Sequence, residues 1–547
     1  MTIGEKITHL RINAGMNQEQ LADALQVTRQ SISKWEGNQA SPQIAKVLEI
    51  CRLFGVKADE LIDDNITISK GVHIDELPAR PRNKYFGTDG FRGESNVNLT
   101  ADHAFKVGRF LGWYYGTAKF ASRRKPGEKV RIVIGKDTRK SSYMFEYAIA
   151  AGITASGADA YILHVTTTPS VSYIARTDGF DCGVMITASH NIFYDNGIKV
   201  LNANGEKLED EVTDLIEAYI DGDMAYLGIE EKDIPFAKRE NIGAVVDYVA
   251  GRNRYVGFLI STVSKNLRGL RIGLDCANGA SWNIARSVFD ALGAEITCIG
   301  IEPNGLNTNR DCGSTHIEKL QELVKANKLD FGFAFDGDAD RCLAVDEKGR
   351  LVDGDKILYI LGTSMKAKGS LNGNTVVTTI MSNSGVAKAF KAAGINNEQT
   401  TVGDRFVYER MVEKNYVLGG EQSGHVIIRK YATTGDGILT ALKVTERIID
   451  AKVPLSKLAS PVTLYPQYLK NVRVVDKKLV AADPAIQKRV AEINAELNGD
   501  GRILLRESGT EPVIRIMVEA DNKEVCDKYI DSVYALIKKG GYICEQN

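Results

Sequence analysis

The sequence has no excess of charge of one sign, no closely paired cysteines and no long hydrophobic run. Its 69 Lys and Arg residues balance 70 Asp and Glu residues, so the net charge of −1 favours neither nucleic acid, nor membranes, nor acidic ligands. The eight cysteines are scattered, which argues against a disulfide framework or a zinc site. No apolar run approaches the roughly 18 residues that a membrane span requires. The amphipathic N-terminus carries Glu5 and is not typical of a secretory signal, so we expect a soluble, cytoplasmic protein without a membrane partner.

The 547-residue chain is too long for one core, and its apolar pattern changes along its length. Residues 1–64 carry short helical stripes, which predict four or five helices around a small core, with Asn17 and Thr28 as N-caps. Residues 65–83 are polar, contain prolines and predict a linker. From residue 84, strands alternate with helices, a pattern typical of α/β domains with parallel or mixed sheets. The last 80 or so residues predict a smaller α+β domain.

The stretch VMITASHNIFYDNGIKV, residues 184–200, joins a buried-strand pattern to reactive side chains. Its apolar start ends in a polar cluster that contains Ser189 and His190, and Lys199 follows ten residues after the serine. Open α/β sheets place their ligands at such strand ends. The stretch therefore indicates a functional loop that carries a hydroxyl, an imidazole and an amine.

A second loop, FAFDGDADRC at residues 333–342, brings three carboxylates close together. Asp336, Asp338 and Asp340 repel one another unless a hard divalent cation neutralises them, which favours a Mg²⁺ site. The alternatives are a solvated acidic turn and an EF-hand. The EF-hand is disfavoured because Arg341 occupies the position that needs glycine and a strand precedes the loop where a helix should.

Other loops offer groups that suit a sugar phosphate. The segment LLRESGTEPVIRIMVE, residues 504–519, combines arginines, hydroxyls and a glycine turn, a composition suited to a phosphate dianion or, as the alternative, a strand turn with incidental arginines. The loop GGEQSGH, 419–425, presents Glu421 and Ser423, which suit sugar hydroxyls but also occur in polar hairpins. Arg92 and Arg139 lie in loops rich in Gly and Thr, where each has either a structural or a functional role.

Together these segments resemble the α-D-phosphohexomutase superfamily, most closely its bacterial phosphoglucosamine mutase branch. The resemblance covers about residues 84–540. It rests on the following motifs, in family order: YFGTDGFRG, GKDTR, TASHN, YDNGIK, DCANGA, EPNGLN, FDGDADR, VGDRFVYERM, GGEQSGH, TTGDGI and SGTEPVIRIMVE. It implies three α/β domains with mixed sheets, at 84–245, 246–345 and 346–465, and a C-terminal α+β domain at 466–547.

The resemblance also implies a role for each motif residue. Ser189 is then a phosphoserine nucleophile whose phosphate completes a Mg²⁺ shell with Asp336, Asp338 and Asp340. The remaining implied roles are proton transfer and charge balance by His190 and Lys199, stabilisation of the transferring phosphoryl group by Arg92 and Arg341, sugar binding by Glu421 and Ser423, and binding of the non-reacting phosphate by Arg506, Ser508, Gly509, Thr510 and Arg515.

The implied reaction is the interconversion of glucosamine 6-phosphate and glucosamine 1-phosphate, with a hexose 1,6-bisphosphate as activator. Two alternatives stay open: a phosphoglucomutase or phosphomannomutase of the same superfamily, and a sugar-phosphate sensor that regulates transcription without turnover. Three departures from the family pattern bear on activity: Ile192 replaces a usual Pro, Ala339 a frequent Gly, and Glu507 a commoner Pro or Lys. We expect Ala339 to need a right-handed or extended backbone where glycine would be free.

The first 64 residues resemble the Cro/C1-type helix-turn-helix domain. The segment QEQLADAL matches the first helix of that motif and TRQSISKWEGN its recognition helix. The resemblance implies double-stranded DNA as a partner and these DNA-facing residues: Gln18, Arg29, Gln30, Ser31 and Lys34. The alternative is a small helical protein-interaction module. Because such domains generally read DNA as dimers, and because the related mutases tend to be dimers, we expect a homodimer.

Overall fold

The computed structural model describes residues 2–13, 16, 18–25, 27–54, 56, 58–62, 84–87, 89–117, 120, 124–125, 127–229, 232–507 and 513–544. The predicted cap Asn17, the predicted linker and the predicted phosphate ligands Ser508, Gly509 and Thr510 lie outside these residues. The chain divides into two compact units. One contains residues 1–82 and 221–233, the other contains 83–220 and 234–547, and each is described by itself.

The described part of the first unit contains a small helical bundle. Its helices are Ile3–Asn13, Gln18–Ala24, Arg29–Glu36, Ile44–Phe54 and Ala58–Ile62. Thr28 caps the third helix as predicted, because its side chain accepts a hydrogen bond from the Ser31 backbone N–H. Apolar residues from all five helices form one core, in which Ile7, Leu21 and Ile32 are fully buried.

The second unit begins with a seven-stranded mixed sheet. In spatial order its strands are Phe86–Gly87, Gly90–Glu94, Asp195–Asn202, Cys182–Ile186, Arg131–Lys136, Asp159–Val165 and Val245–Asp247. The last four strands pair in parallel and the first three add antiparallel. The helices of this region are Ala101–Gly116, Lys140–Ala155, Thr168–Thr177 and Asp210–Ile220.

Two further mixed sheets follow and share one hydrophobic core. The second sheet has the order Leu351–Val352, Cys342–Asp346, Phe331–Phe335, Arg271–Asp275 and Glu295–Ile299, with helices Val249–Ser261, Ser281–Ala291 and Glu318–Ala326. The third has the order Asn396–Thr400, Thr375–Thr379, Leu418–Gly420 and Val426–Ile428, with helices Gly354–Ala367, Ser384–Ala392, Asp404–Glu413, Gly437–Ala451 and Leu455–Ala459.

A three-stranded antiparallel sheet with its own core ends the chain. Its strands, in order, are Gln467–Arg473, Val513–Glu519 and Arg502–Glu507, and its helices are Lys477–Ala482, Pro484–Leu497 and Lys523–Lys539. None of the described helices is both long enough and apolar enough to cross a membrane.

Candidate active site

Ser189 lies in the loop that follows the buried strand Cys182–Ile186. Its hydroxyl donates a 2.6 Å hydrogen bond to Asp336 Oδ2, and its backbone N–H donates to Thr187 Oγ1 at 2.9 Å. Its φ of +52° lies in the left-handed region, which costs about 1–2 kcal/mol for a residue with a Cβ atom. Backbone strain of this kind concentrates at functional sites, where the surrounding structure enforces it.

A buried arginine, Arg139, hydrogen-bonds to the backbone of the Ser189 loop. The Arg139 guanidinium is fully buried, pairs with Asp137 and donates to the carbonyls of Ser189 and Asn191, both at 2.8 Å. The Asn309 amide donates to the same two carbonyls at 2.7 and 2.9 Å. The sequence pattern leaves the role of Arg139 open and gives no sign of Asn309, because their partners are far away along the chain. These donors fix the backbone that presents Ser189.

The three predicted metal ligands lie together in the loop between the strands Phe331–Phe335 and Cys342–Asp346. One carboxylate oxygen from each of Asp336, Asp338 and Asp340 lies within 4.8 Å of the others, and all three residues are buried. Within the described residues, Asp338 Oδ1 and Asp340 Oδ1 have no hydrogen-bond partner. Burial and the two neighbouring carboxylates raise the pKa of Asp336 well above its ordinary value. This donor set fits a hard divalent cation, and the flanking strands exclude an EF-hand.

The expectation for Ala339 in this loop is wrong. Ala339 adopts φ +55°, in the left-handed region, and not a right-handed or extended conformation. Its N–H donates to the Asp336 carbonyl and its carbonyl accepts from Gly437 N–H, so the turn is held from both sides. The loop keeps the conformation in which glycine would be unstrained, and the alanine carries the strain.

Lys199 lies beside the carboxylates, on the strand Asp195–Asn202, which pairs antiparallel with Cys182–Ile186. Its Nζ is 2.9 Å from Asp338 Oδ2, 3.0 Å from Asp340 Oδ2 and 3.1 Å from Asp89 Oδ2. Burial disfavours the charged amine, but the three carboxylates outweigh burial and raise the pKa of Lys199 well above its usual range. Lys199 is therefore a fixed positive charge at the site.

His190 lies next to the serine, and the charges of Arg92 and Arg341 act on its imidazole. A ring nitrogen of His190, Nδ1, is 3.5 Å from Ser189 Oγ. Burial, Arg341 and Arg92 lower the pKa of His190 to about 4, so the imidazole is neutral at pH 7. The Arg92 guanidinium pairs with Asp89, and the Arg341 backbone N–H donates to Asp336 Oδ1 at 3.2 Å. The structure thus brings the predicted base and cations to one place.

The predicted sugar ligands lie in the turn between the strands Leu418–Gly420 and Val426–Ile428. Glu421 accepts a hydrogen bond from the Gly403 N–H at 3.1 Å. Ser423 Oγ is buried and has no hydrogen-bond partner among the described residues. Glu421 also contributes to the electrostatic environment of Arg341, which places this turn near the metal loop.

Arg506 and Arg515 face each other on neighbouring strands of the C-terminal sheet. Burial, and then the positive charge of Arg515, lowers the pKa of Arg506. Two guanidiniums that repel each other form a site that an anion stabilises.

The predicted DNA-facing residues lie on two helices of the first unit. Arg29, Gln30, Ser31 and Lys34 belong to the helix Arg29–Glu36; Ser31 is partly exposed and the other three are exposed. The Gln18 amide instead donates to Glu36 at 2.8 Å, within the helical unit.

The segments that carry these residues match known family models. Phosphoglucomutase/phosphomannomutase domains I, II, III and IV match residues 83–226, 250–349, 353–465 and 469–536, and a helix-turn-helix model matches residues 7–61. These matches confirm the predicted fold class of a helical head and a phosphohexomutase body.

Bacterial phosphoglucosamine mutases are similar in sequence to most of the chain. The chain is 60% identical over 459 residues to a phosphoglucosamine mutase of Lachnospira eligens, which covers 84% of this chain and 99% of the relative. It is 46% identical over 455 residues to one of Bacillus cereus, which covers 83% of this chain and 98% of the relative.

Solved structures share the fold. A phosphoglucomutase/phosphomannomutase family protein from Burkholderia thailandensis has a TM-score of 0.67 at 24% identity, covering 83% of this chain and 97% of that one. An Aspergillus fumigatus N-acetylphosphoglucosamine mutase, solved with GlcNAc-6P and magnesium, has a TM-score of 0.59 at 19% identity, covering 84% of this chain and 96% of that one. With the serine loop and acidic triad in place, the chain belongs to the phosphoglucosamine mutase family and carries an additional N-terminal helix-turn-helix domain.

Proposed function

We propose that this enzyme interconverts glucosamine 6-phosphate and glucosamine 1-phosphate through a phosphorylated Ser189. The observation that carries the proposal is the 2.6 Å contact between the Ser189 hydroxyl and Asp336, beside two further carboxylates and Lys199. The identity of 60% to a named phosphoglucosamine mutase supports the choice of substrate.

Each side chain of the site has a separate role in the proposed phosphoryl transfer. The bond between phosphorus and Ser189 Oγ breaks while a sugar hydroxyl forms a new bond to phosphorus, which yields a sugar bisphosphate. Neutral His190 accepts the proton of the attacking hydroxyl and, from a ring nitrogen 3.5 Å from Ser189 Oγ, passes it to the departing serine oxygen. The guanidiniums of Arg92 and Arg341 with the Lys199 amine balance the charge on the phosphoryl oxygens. The bisphosphate then reverses its orientation in the site, and its other phosphoryl group is transferred to Ser189.

Asp336, Asp338 and Asp340, with an oxygen of the phosphoserine, would hold Mg²⁺. When bound, the cation offsets the negative charge of the carboxylates and of the transferring phosphoryl group. A hexose 1,6-bisphosphate would act as activator, because it rephosphorylates a serine that has lost its phosphate.

The substrate is tested by a coupled assay on glucosamine, glucose and mannose 6-phosphates at equal concentration. We expect the highest kcat/KM for glucosamine 6-phosphate. A preference of about tenfold or more for glucose or mannose, equivalent to 1.4 kcal/mol of transition-state binding, would assign the enzyme to another branch. Binding of all three without turnover would instead support the sensor.

The Arg515→Ala variant is expected to raise KM by about tenfold or more while kcat falls less. Arg506 and Arg515 would bind the phosphate that is not reacting, and a hydrogen bond to a charged group contributes about 1.5–3 kcal/mol. Steady-state kinetics measure this split. The matched control is Arg473→Ala, at an exposed position of the same sheet, which should leave KM unchanged. An unchanged KM in Arg515→Ala would reject the phosphate role.

We further propose that the helix-turn-helix domain binds duplex DNA as part of a homodimer. The polar face of the helix Arg29–Glu36 supports this, because recognition helices read base edges in the major groove with such residues. Residues 1–66 hold 7 Lys and Arg against 9 Asp and Glu, but five of the acids lie at Glu49 or beyond, outside this helix.

Replacing both Arg29 and Gln30 by alanine should abolish sequence-selective binding and leave mutase kinetics unchanged. The operator is found by selection from random duplexes and footprinting, and binding should weaken steeply with salt as phosphate contacts are screened. Selection that enriches no duplex at moderate salt would show that the domain binds protein instead.

A further inference from the structure

A chain of alternating charges leads away from the acidic triad on the side of Lys199. Asp89 contacts Lys199 at 3.1 Å through Oδ2 and Lys207 at 3.1 Å through Oδ1. Lys207 Nζ then donates to Asp404 Oδ1 at 2.7 Å. We call Lys199, Asp89, Lys207 and Asp404 the ion-pair chain. Its two distal members, Lys207 and Asp404, have no assigned role in the reaction above.

The ion-pair chain joins two regions of the fold. Asp89 lies in the turn between the strands Phe86–Gly87 and Gly90–Glu94, and Lys207 follows the strand Asp195–Asn202, so both belong to the first sheet's region. Asp404 is the first residue of the helix Asp404–Glu413, which packs on the third sheet. The ion pair between Lys207 and Asp404 therefore connects the segment that carries Lys199 to the region that carries the sugar-binding turn.

The side chains of the ion-pair chain are partly shielded from solvent, which strengthens the electrostatic attraction between them. The side chains of Asp89, Lys207 and Asp404 are 26%, 25% and 17% exposed, and that of Lys199 is 6% exposed. Burial opposes ionisation, yet the neighbouring cations lower the pKa of Asp89 and of Asp404, and the neighbouring carboxylates raise the pKa of Lys207. All these groups are charged at neutral pH, and each one supplies part of the counter-charge of its neighbours in the ion-pair chain.

His425 lies between Asp340 of the acidic triad and Asp404 of the ion-pair chain. Its Nδ1 is 3.7 Å from Asp340 Oδ1, and its Nε2 is 3.4 Å from Asp404 Oδ2. Two effects on its charge oppose each other: carboxylates, Asp404 first, outweigh burial and raise the pKa of His425 to about 9, whereas the Gly435 N–H needs a lone pair on Nε2 at 2.9 Å. The His425 ring therefore lies next to both the metal loop and Asp404.

We propose that Lys207 and Asp404 are positioning residues that hold Lys199 against the acidic triad when the two regions are joined. Asp89 is shared by Lys199, Lys207 and Arg92. Without Lys207, Lys199 and Arg92 are the cations left beside the Asp89 carboxylate among the described residues, and Asp89 draws both away from the phosphoryl group. Without Asp404, Lys207 loses the carboxylate that holds it beside Asp89, so Asp89 again draws on Lys199 and Arg92. The inference rests on the proposed function, because its readout is mutase turnover.

The test is a double-mutant cycle on the full chain with Lys207→Met and Asp404→Asn. We expect each single variant to lower kcat by about tenfold or more, with KM within about threefold, because the substrate contacts remain. The kcat of the double variant should be no more than about twofold below that of the less active single variant, since both substitutions break the shared ion pair between Lys207 and Asp404. Lys207→Arg, which keeps the charge, should retain kcat within about threefold.

Asp210→Asn provides the matched control. It breaks the exposed ion pair between Asp210 and Arg405, which joins the same two regions without contacting Lys199, and it should leave kcat unchanged. Thermal melting of each variant confirms folding. If Lys207→Met does not fold, the kcat of the near-isosteric Asp404→Asn variant tests the inference. Multiplicative effects in the cycle, an effect on KM alone, or an equal loss in Asp210→Asn would overturn the inference. If the wild type turns over a different hexose phosphate, the substrate assignment fails and the cycle is run on that substrate.

Discussion

The Ser189→Ala variant is expected to lose turnover by roughly four orders of magnitude or more, while substrate binding stays within a few-fold. In the proposed mechanism the Ser189 hydroxyl forms the phosphoenzyme, so its loss removes the step on which the reaction depends. The residues proposed to bind the sugar and the non-reacting phosphate lie in other segments of the sequence and remain. Calorimetric titration with glucosamine 6-phosphate separates binding from turnover.

The control for this variant is Ser261→Ala. Ser261 is exposed at the end of the helix Val249–Ser261 and donates only to a backbone carbonyl of its own helix. Its activity should equal that of the wild type. Appreciable turnover by Ser189→Ala would mean that another group accepts the phosphoryl group.

The Asp338→Asn variant is expected to lower kcat by about 10²- to 10³-fold at ordinary Mg²⁺ and to need far more Mg²⁺ for half-maximal activity. Asp338 Oδ2 already accepts from Thr168 and Lys199, and Oδ1 is the buried oxygen left for a cation. The amide keeps the shape of the side chain but removes a negative charge from the ligand set, and a hard cation requires that charge. Activity titrated against Mg²⁺ measures both effects.

Asp290→Asn, on the exposed face of the helix Ser281–Ala291, removes the same charge far from the triad and should leave the titration unchanged. Identical Mg²⁺ curves for Asp338→Asn and the wild type would remove Asp338 from the metal site.

The sequence predicted the parts of the site that depend on local pattern. The apolar runs at 271–275 and 331–335 are strands with those bounds, because turn residues end each run and the strands are buried on both faces. The loops after such strands then locate Ser189 and the three aspartates. Thr28 was predictable as a cap for the same reason, since capping is a local interaction.

Contacts between distant segments were not predictable. Lys207 and Asp404 are 197 positions apart, and Asn309 reaches the carbonyl of Ser189 across 120 positions, so no periodicity or spacing relates them. The left-handed backbone of Ala339 was misjudged because residue preference was weighed without the tertiary contacts that hold the turn. In both cases the fold, and not the local sequence, decides the geometry.

The most direct test of the proposed mechanism is peptide mass spectrometry of the active, full-length protein before and after exposure to glucosamine 6-phosphate. The mechanism predicts one phosphate on the peptide that contains Ser189, fragmentation that assigns it to that residue, and its loss to the sugar during turnover. Sustained mutase activity from protein in which Ser189 is never phosphorylated would contradict it.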